Sequence, residues 1–304
     1  MVADPAVLED LAPVTLLLQY VANGLAAGSL YALVALGIVL LYRCSRVLNF
    51  AHGDLATLGV FFAFSGITRG WPYGLALLGG LAGAAAVSAA FYRLLIKPVR
   101  QATALSLVIT TLGFALFLSG LMVWAWGTDT KVFPFPLSEV RVFRFGGVVV
   151  SELTAGSLAV GLVLVAGLSA LVQRTRLGLA MRAVAQNPVA AQLLGVPAGQ
   201  VLAATWAVAG ALGAAAGMLL APAVLLDPFM MLDPFLKGFA AAVLGGMDSL
   251  PGAVAGGLIL GVAESVFAGY VSVKYKATLS FVVIVAVLLV RPEGLLGRPF
   301  HRRV

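Results

Sequence analysis

Six stretches of this chain are each long and apolar enough to cross a lipid bilayer: Leu11–Tyr42, Gly70–Tyr92, Gln101–Thr128, Leu153–Gln173, Val201–Leu226 and Ser249–Tyr270. A spanning segment needs about 20 mostly apolar residues, and it must be helical because lipid offers no partner to an open backbone amide. Six such segments point to an all-α fold, a polytopic transmembrane helical bundle read as a single domain over residues 1–304. Composition removes the alternatives. Charged residues make up 10% of the chain and hydrophobic residues 62%, against roughly 25% and 45–50% in soluble domains. So few polar groups cannot cover a water-soluble core, which excludes a soluble enzyme, a disordered chain and a nucleic-acid binder. The net charge of +7 then reads as membrane topology.

Three further apolar stretches are shorter. Ala277–Val290 has 14 residues and can extend back over Ser272–Lys276. Leu55–Thr68 has 14 and Gly238–Met247 has 10. At ~1.5 Å per residue these two reach about 21 and 15 Å, short of a ~30 Å hydrocarbon core. Each must recruit polar flanks, tilt, or stop part-way as a re-entrant piece buried in protein. Short, interrupted segments of this kind often mark a transport pathway. The expected total is eight or nine membrane segments, these pieces included. Asp4, Glu9 and Asp10 are wrong for the head of a signal peptide, so the first span is expected to be retained.

Lys and Arg set the orientation. With nine crossings and the N-terminus outside, the inside loops hold Arg43, Arg46, Arg93, Lys97, Arg100, Arg174, Arg176, Arg182, Arg291, Arg298, Arg302 and Arg303. The outside segments hold Arg69, Lys131, Arg141, Arg144, Lys237, Lys274 and Lys276, with Glu139 among the acidic residues there. The richer side is the cytoplasm, so the C-terminus is expected inside. Glycines recur at helical spacing, as in Gly24/Gly28, Gly213/Gly217 and Gly257/Gly261, which lets helix backbones approach closely.

The segment Arg174–Gln200 is the most informative inside loop. Leu179–Ala185 has helical spacing, Asn187 can cap a second short helix that opens on Pro188, and Gly195 can stop it. A passive loop needs no such organisation; a docking element does. The chain has no GxxxxGK[ST] motif, so ATP-driven transport would need its ATPase on another chain. Cys44 is a lone cysteine, and no His/Cys cluster suggests a metal.

Several blocks resemble one family. Asn23-Gly24, Gly28-Ser29-Leu30-Tyr31-Ala32-Leu33 and Asn49-Phe50-Ala51-His52-Gly53-Asp54 are similar to the opening of the branched-chain amino acid ABC transporter permeases. So are Met181-Arg182-Ala183-Val184-Ala185-Gln186-Asn187-Pro188 with Ala190-Ala191 and Leu194-Gly195-Val196, then Ala242 through Ala253, and Arg291-Pro292-Glu293-Gly294-Leu295-Leu296-Gly297. The blocks follow the family order over roughly residues 20–298, and the length resembles the shorter, H-type subunit. The resemblance implies a multi-pass protein of the bacterial inner membrane and a second homologous permease subunit. It also implies two cytoplasmic ABC ATPase subunits and a periplasmic or extracellular amino-acid-binding protein. ATP and Mg would be used by the ATPases, with no cofactor on this chain. It further implies that Arg182, Ala183, Gln186, Asn187, Ala190, Ala191 and Gly195, within residues 174–200, form a cytoplasmic coupling loop. Relatives of the family also carry urea and short amides.

Few polar residues in the spans are candidates for a pathway. His52 and Asp54 sit at the start of the short second segment, where with Asn49 they are read as capping and positioning a helix start beside the inner face. Glu264 is the one charge well inside a predicted span, and an intramembrane carboxylate is a functional candidate by default. It could line the pathway, lie near an interface, or pair with Lys274 or Lys276 if a boundary shifts. Thr110, Thr111, Asn23 and Ser29 could line a pathway or bond back to their own helical turn. The expectation is a permease subunit of an ATP-driven importer for branched-chain or related small amino acids, with no chemistry of its own. A urea or amide permease is the alternative. An ion-coupled secondary transporter fits less well, because only Glu264 and Asp54 could carry the coupling. A membrane-embedded enzyme is disfavoured, since HExxH and GxSxG are both missing.

Overall fold

Helices make up most of the chain where the computed structural model describes it, residues 13–99, 103–138, 140–145 and 147–297. Asp4, Glu9, Asp10, Leu11, Arg100, Gln101, Glu139, Arg298, Arg302 and Arg303, which entered the readings above, lie outside the described residues. Long helix α1 (Pro13–Ser45) is followed by α2 (His52–Thr68), α3 (Tyr73–Phe91) and α4 (Ala104–Trp126). α3 runs on through a π-helical turn at Tyr92–Ile96 and one more turn, Lys97–Val99. After a small antiparallel hairpin, β1 (Val142–Phe145) and β2 (Val148–Ser151), come α5 (Glu152–Arg174), α6 (Arg176–Gln186) and α7 (Pro188–Leu193). The chain closes with α8 (Ala198–Val224), α9 (Leu232–Gly245), α10 (Leu250–Tyr270) and α11 (Lys276–Val290). Six of these, α1, α3, α4, α5, α8 and α10, are long and apolar enough to span a membrane, and they fall on the six long stretches of the sequence. This is a multi-pass membrane protein. The hairpin was not anticipated, although alternation through Val142-Phe143-Arg144 before a Gly-Gly pair is its signal.

The bundle has two ends. At one, Gln19 of α1 bonds the backbone of Val149 in β2, and Leu226 pairs with Lys131. At the other, Cys44 near the end of α1 lies 3.9 Å from the Met181 carbonyl of α6. α8 starts at this second end and finishes at the first, so α1 and α8 run in opposite directions.

These two helices end alike. Arg46 after α1 has φ +57° and Leu225 after α8 has φ +65°, the two non-glycine residues with positive φ among the described residues. Each turns the chain back into the bundle for a few residues before a short helix begins, α2 or α9. A constant shift in numbering relates the halves: Arg46 to Leu225, Phe50 to Phe229, Asp54 to Asp233, Gly59 to Gly238, Pro72 to Pro251, and Phe91 at the end of α3 to Tyr270 at the end of α10. Packing repeats with the same shift. A Cβ on Gly59 would meet Ala214 of α8, and one on Gly238 would meet Val34 and Ala35 of α1. The halves are thus inverted copies that share one midplane, as in many transporters.

Glycines make the close approaches between helices. A Cβ on Gly28 would lie 2.7 Å from the Gly257 carbonyl at the α1–α10 crossing. The outer faces of α4, α5 and α11 expose Phe117, Val163 and Leu289, a surface suited to lipid or to another membrane helix.

Candidate functional site

The two short helices begin deep in the bundle. His52, the first residue of α2, is completely buried, with its ring against Gly37 and Gly213, where an added Cβ would come within 2.5 and 3.1 Å of it. Gly37 is eight residues from the end of α1, so α2 starts about 12 Å in from that end at ~1.5 Å per residue. Neither imidazole nitrogen has a partner among the described residues. α9 starts beside it, since a Cβ on Gly53 would lie 3.1 Å from Phe235 Cβ and 3.4 Å from the Met231 carbonyl. The helix start therefore does not lie beside the inner face, as the sequence suggested. Ala51 is the residue before α2, without a side-chain cap, and Asn49 accepts the Ala51 N–H at 3.1 Å to turn the chain inward.

Asp54 accepts a 2.6 Å hydrogen bond from the Ser119 hydroxyl of α4. It borders a cavity of about 320 Å³ between α2, α4 and the start of α9, whose wall is otherwise mostly apolar.

A second polar cluster joins α1, α9 and α10. Lys237 Nζ lies 2.7 Å from Glu264 Oε1 and 2.8 Å from Asp233 Oδ2. The Tyr31 hydroxyl donates to Glu264 Oε2 at 2.8 Å. Glu264 is 1% exposed and Lys237 7%. Two sequence expectations fall here. Glu264 pairs with Lys237, not with Lys274 or Lys276, and Lys237 is buried in α9 instead of lying in an outside loop. The shorter apolar count, begun at Gly238, left Lys237 just outside; yet a lone charge within an apolar run is itself a signal.

The α6–α7 segment is built as the sequence spacing suggests. Thr175 accepts the Gly178 N–H to start α6, and Asn187 Oδ1 accepts from the N–H groups of Val189 and Ala190, both at 3.0 Å, to start α7 behind Pro188. Gly195, at φ +82°, turns the chain after α7 toward α8. Gln186, Asn187, Ala190 and Gly195 are exposed, Arg182 and Ala183 are half-buried, and Ala191 is buried. Val189, Leu193 and Leu194 project from α7 with 66%, 84% and 84% exposure, an apolar knob away from the bundle core.

A family model described as the branched-chain amino acid transport system permease component matches residues 20–288. The chain belongs to this permease family. The permease is 35% identical over 300 residues to the high-affinity branched-chain amino acid transport system permease protein BraD of Pseudomonas aeruginosa, covering 94% of this chain and 98% of BraD. It is 34% identical over 303 residues to LivH of Escherichia coli K12, covering 94% and 97%. A probable LivH of Methanocaldococcus jannaschii is 29% identical over 286 residues, covering 88% and 89%. Among solved structures, a chain of PsaBC from Streptococcus pneumoniae in complex with Fab aligns with a TM-score of 0.50 at 12% identity, over 89% of this chain and 91% of that one; this likeness concerns the fold alone.

In the permease, the uncharged polar candidates are mostly spent on their own helices. Ser29 donates to the Ala26 carbonyl, Thr110 to that of Ser106, and Thr111 to that of Val108, with a longer 3.4 Å approach to Leu48. Asn23 is exposed and accepts from Gln19. None of the four lines the cavity beside Asp54. The residues that sequence reasoning missed are Ser119, Lys237, Tyr31 and Phe235, whose importance comes from neighbours distant in the chain.

Proposed function

We propose that this permease is one of two membrane subunits of an ATP-driven importer of branched-chain amino acids. The observation that carries the reading is near-full-length similarity to BraD and LivH, both named as permeases of that transport. The end of the bundle that holds α6 and α7 also holds Arg46, Arg93, Lys97, Arg174, Arg176 and Arg182, so the basic-residue rule favours the cytoplasm for it. Two partner ATPases would grip the exposed face of α7 there, and a binding protein would deliver the amino acid at the hairpin end. The C-terminus would then be cytoplasmic and the N-terminus outside.

The geometry supports a mechanical route. Only four residues separate α7 from α8. α8 then runs as one rod to Gly213, against which His52 packs. A push on α7 would reach the junction of the two short helices through α8, and tilting one inverted half against the other would open the pathway to alternate sides. The test is uptake into proteoliposomes holding this chain with a second permease, two ATPases and a binding protein. Leucine, isoleucine and valine should accumulate only with ATP and Mg, while urea and acetamide should not. Ion-gradient-driven uptake by this chain alone would overturn the reading.

A further inference from the structure

The cavity beside Asp54 carries one more step, which rests on the function proposed above. Its wall comes from three elements that the fold, not the sequence, brings together: Gly53, Asp54 and Thr57 of α2, Leu112 and Leu116 of α4, and Phe235 of α9. At about 320 Å³ it has room for a small ligand, within the usual range of small-molecule sites. Asp54 is the one ionisable group on its wall. Ser119 is the sole side chain that hydrogen-bonds Asp54 among the described residues, and no ion pair among them includes it. The nearby cation of the junction, Lys237, is held by Glu264 and Asp233 instead. A carboxylate facing an apolar cavity without a cation is matched by a ligand that brings one, attached to a hydrocarbon body.

We infer that this cavity is a substrate site for an aliphatic α-amino acid. Asp54, aimed by Ser119, accepts from the α-ammonium group, and the branched side chain lies among Phe50, Leu112, Leu116 and Phe235. The first turns of α2 and α9 border the cavity at Gly53 and Leu232, and their positive ends suit the α-carboxylate. A lipid acyl chain would fill the apolar part but leave the carboxylate unmatched.

Photo-leucine offered to the assembled transporter in nanodiscs tests this. Cross-links should map to residues 112–119 and 228–236, and leucine should compete for them. Asp54→Asn should weaken leucine competition by about 10- to 100-fold, the scale of one lost charge-assisted bond. The same change should not weaken competition by 4-methylpentanoate, which has no amine for Asp54 to hold. Leu116→Trp, on the open side of the cavity and 76% exposed, should block labelling without disturbing the helix core. The inference is overturned if labelling maps elsewhere, if Asp54→Asn leaves leucine competition unchanged, or if fatty acid competes and leucine does not. ATP-driven leucine uptake without labelling here sinks the site and spares the function. A wild-type assembly that takes up no leucine sinks both.

Discussion

Lys237 Nζ and Glu264 Oε1 stand 2.7 Å apart at the place where α1, α9 and α10 meet. Their approach is ionic, since Oε1 receives no well-angled hydrogen bond, while Oε2 takes the Tyr31 hydroxyl at 2.8 Å. The pair ties the short helix α9 to the tightly packed α1–α10 unit. Removing Lys237 leaves Glu264 buried without a cation, which is far worse than removing both, whereas removing Glu264 leaves Lys237 with Asp233. Lys237→Met should destabilise the permease by about 3–5 kcal/mol, and Glu264→Gln by less, because Asp233 still holds Lys237. The double substitution should cost clearly less than the sum, as measured by SDS-driven unfolding in mixed micelles.

The slot for His52 makes a second prediction. Gly37→Ala places a methyl within 2.5 Å of the imidazole, and overpacking of this kind costs about 1–3 kcal/mol. His52→Ala in the same background should recover part of that loss, because both imidazole nitrogens lack partners among the described residues and the ring's role there is to fill space. If the double variant is no more stable than Gly37→Ala alone, the ring is not what the methyl strikes.

Leu225 has φ +65° and ψ +153°, a region open almost only to glycine and worth about 1–3 kcal/mol of strain for other residues. Leu225→Gly should therefore be neutral or stabilising in thermal denaturation, despite glycine's greater chain entropy. Leu225→Ile should lower the melting temperature, because branching at Cβ crowds the same backbone further.

On α7, Ala190 is exposed and Asn187 is the cap. Ala190→Glu should leave insertion and folding intact while ATP-driven uptake falls to background. Asn187→Ala should cost about 1 kcal/mol locally and reduce uptake without abolishing it. Normal uptake with Ala190→Glu would place the ATPase contact elsewhere.

Much of this was legible in the chain itself. Lipid forces each long apolar run into a helix, so the six spans could be read to within a few residues. Caps act locally, so Asn187, Pro188 and Gly195 announced the short helix between them. The hairpin was missed because a short, weakly patterned stretch between spans carries little periodic signal. The cap reading of His52 failed because a polar residue at a helix start looks the same whether it faces water or a slot between glycines.

What the sequence by itself determined is the set of helices, their apolar faces and the basic loops that bias orientation, since these follow from local hydrogen bonding and transfer of apolar surface. What only the tertiary structure decided is where the short helices begin and which polar groups meet. Arg46 and Leu225 turn the chain back into the bundle because space between the long helices receives it, and that return sets Asp54 beside Ser119 and Lys237 beside Glu264. Such pairings join residues far apart in the chain, and a buried charge finds its partner through packing, which no single segment encodes.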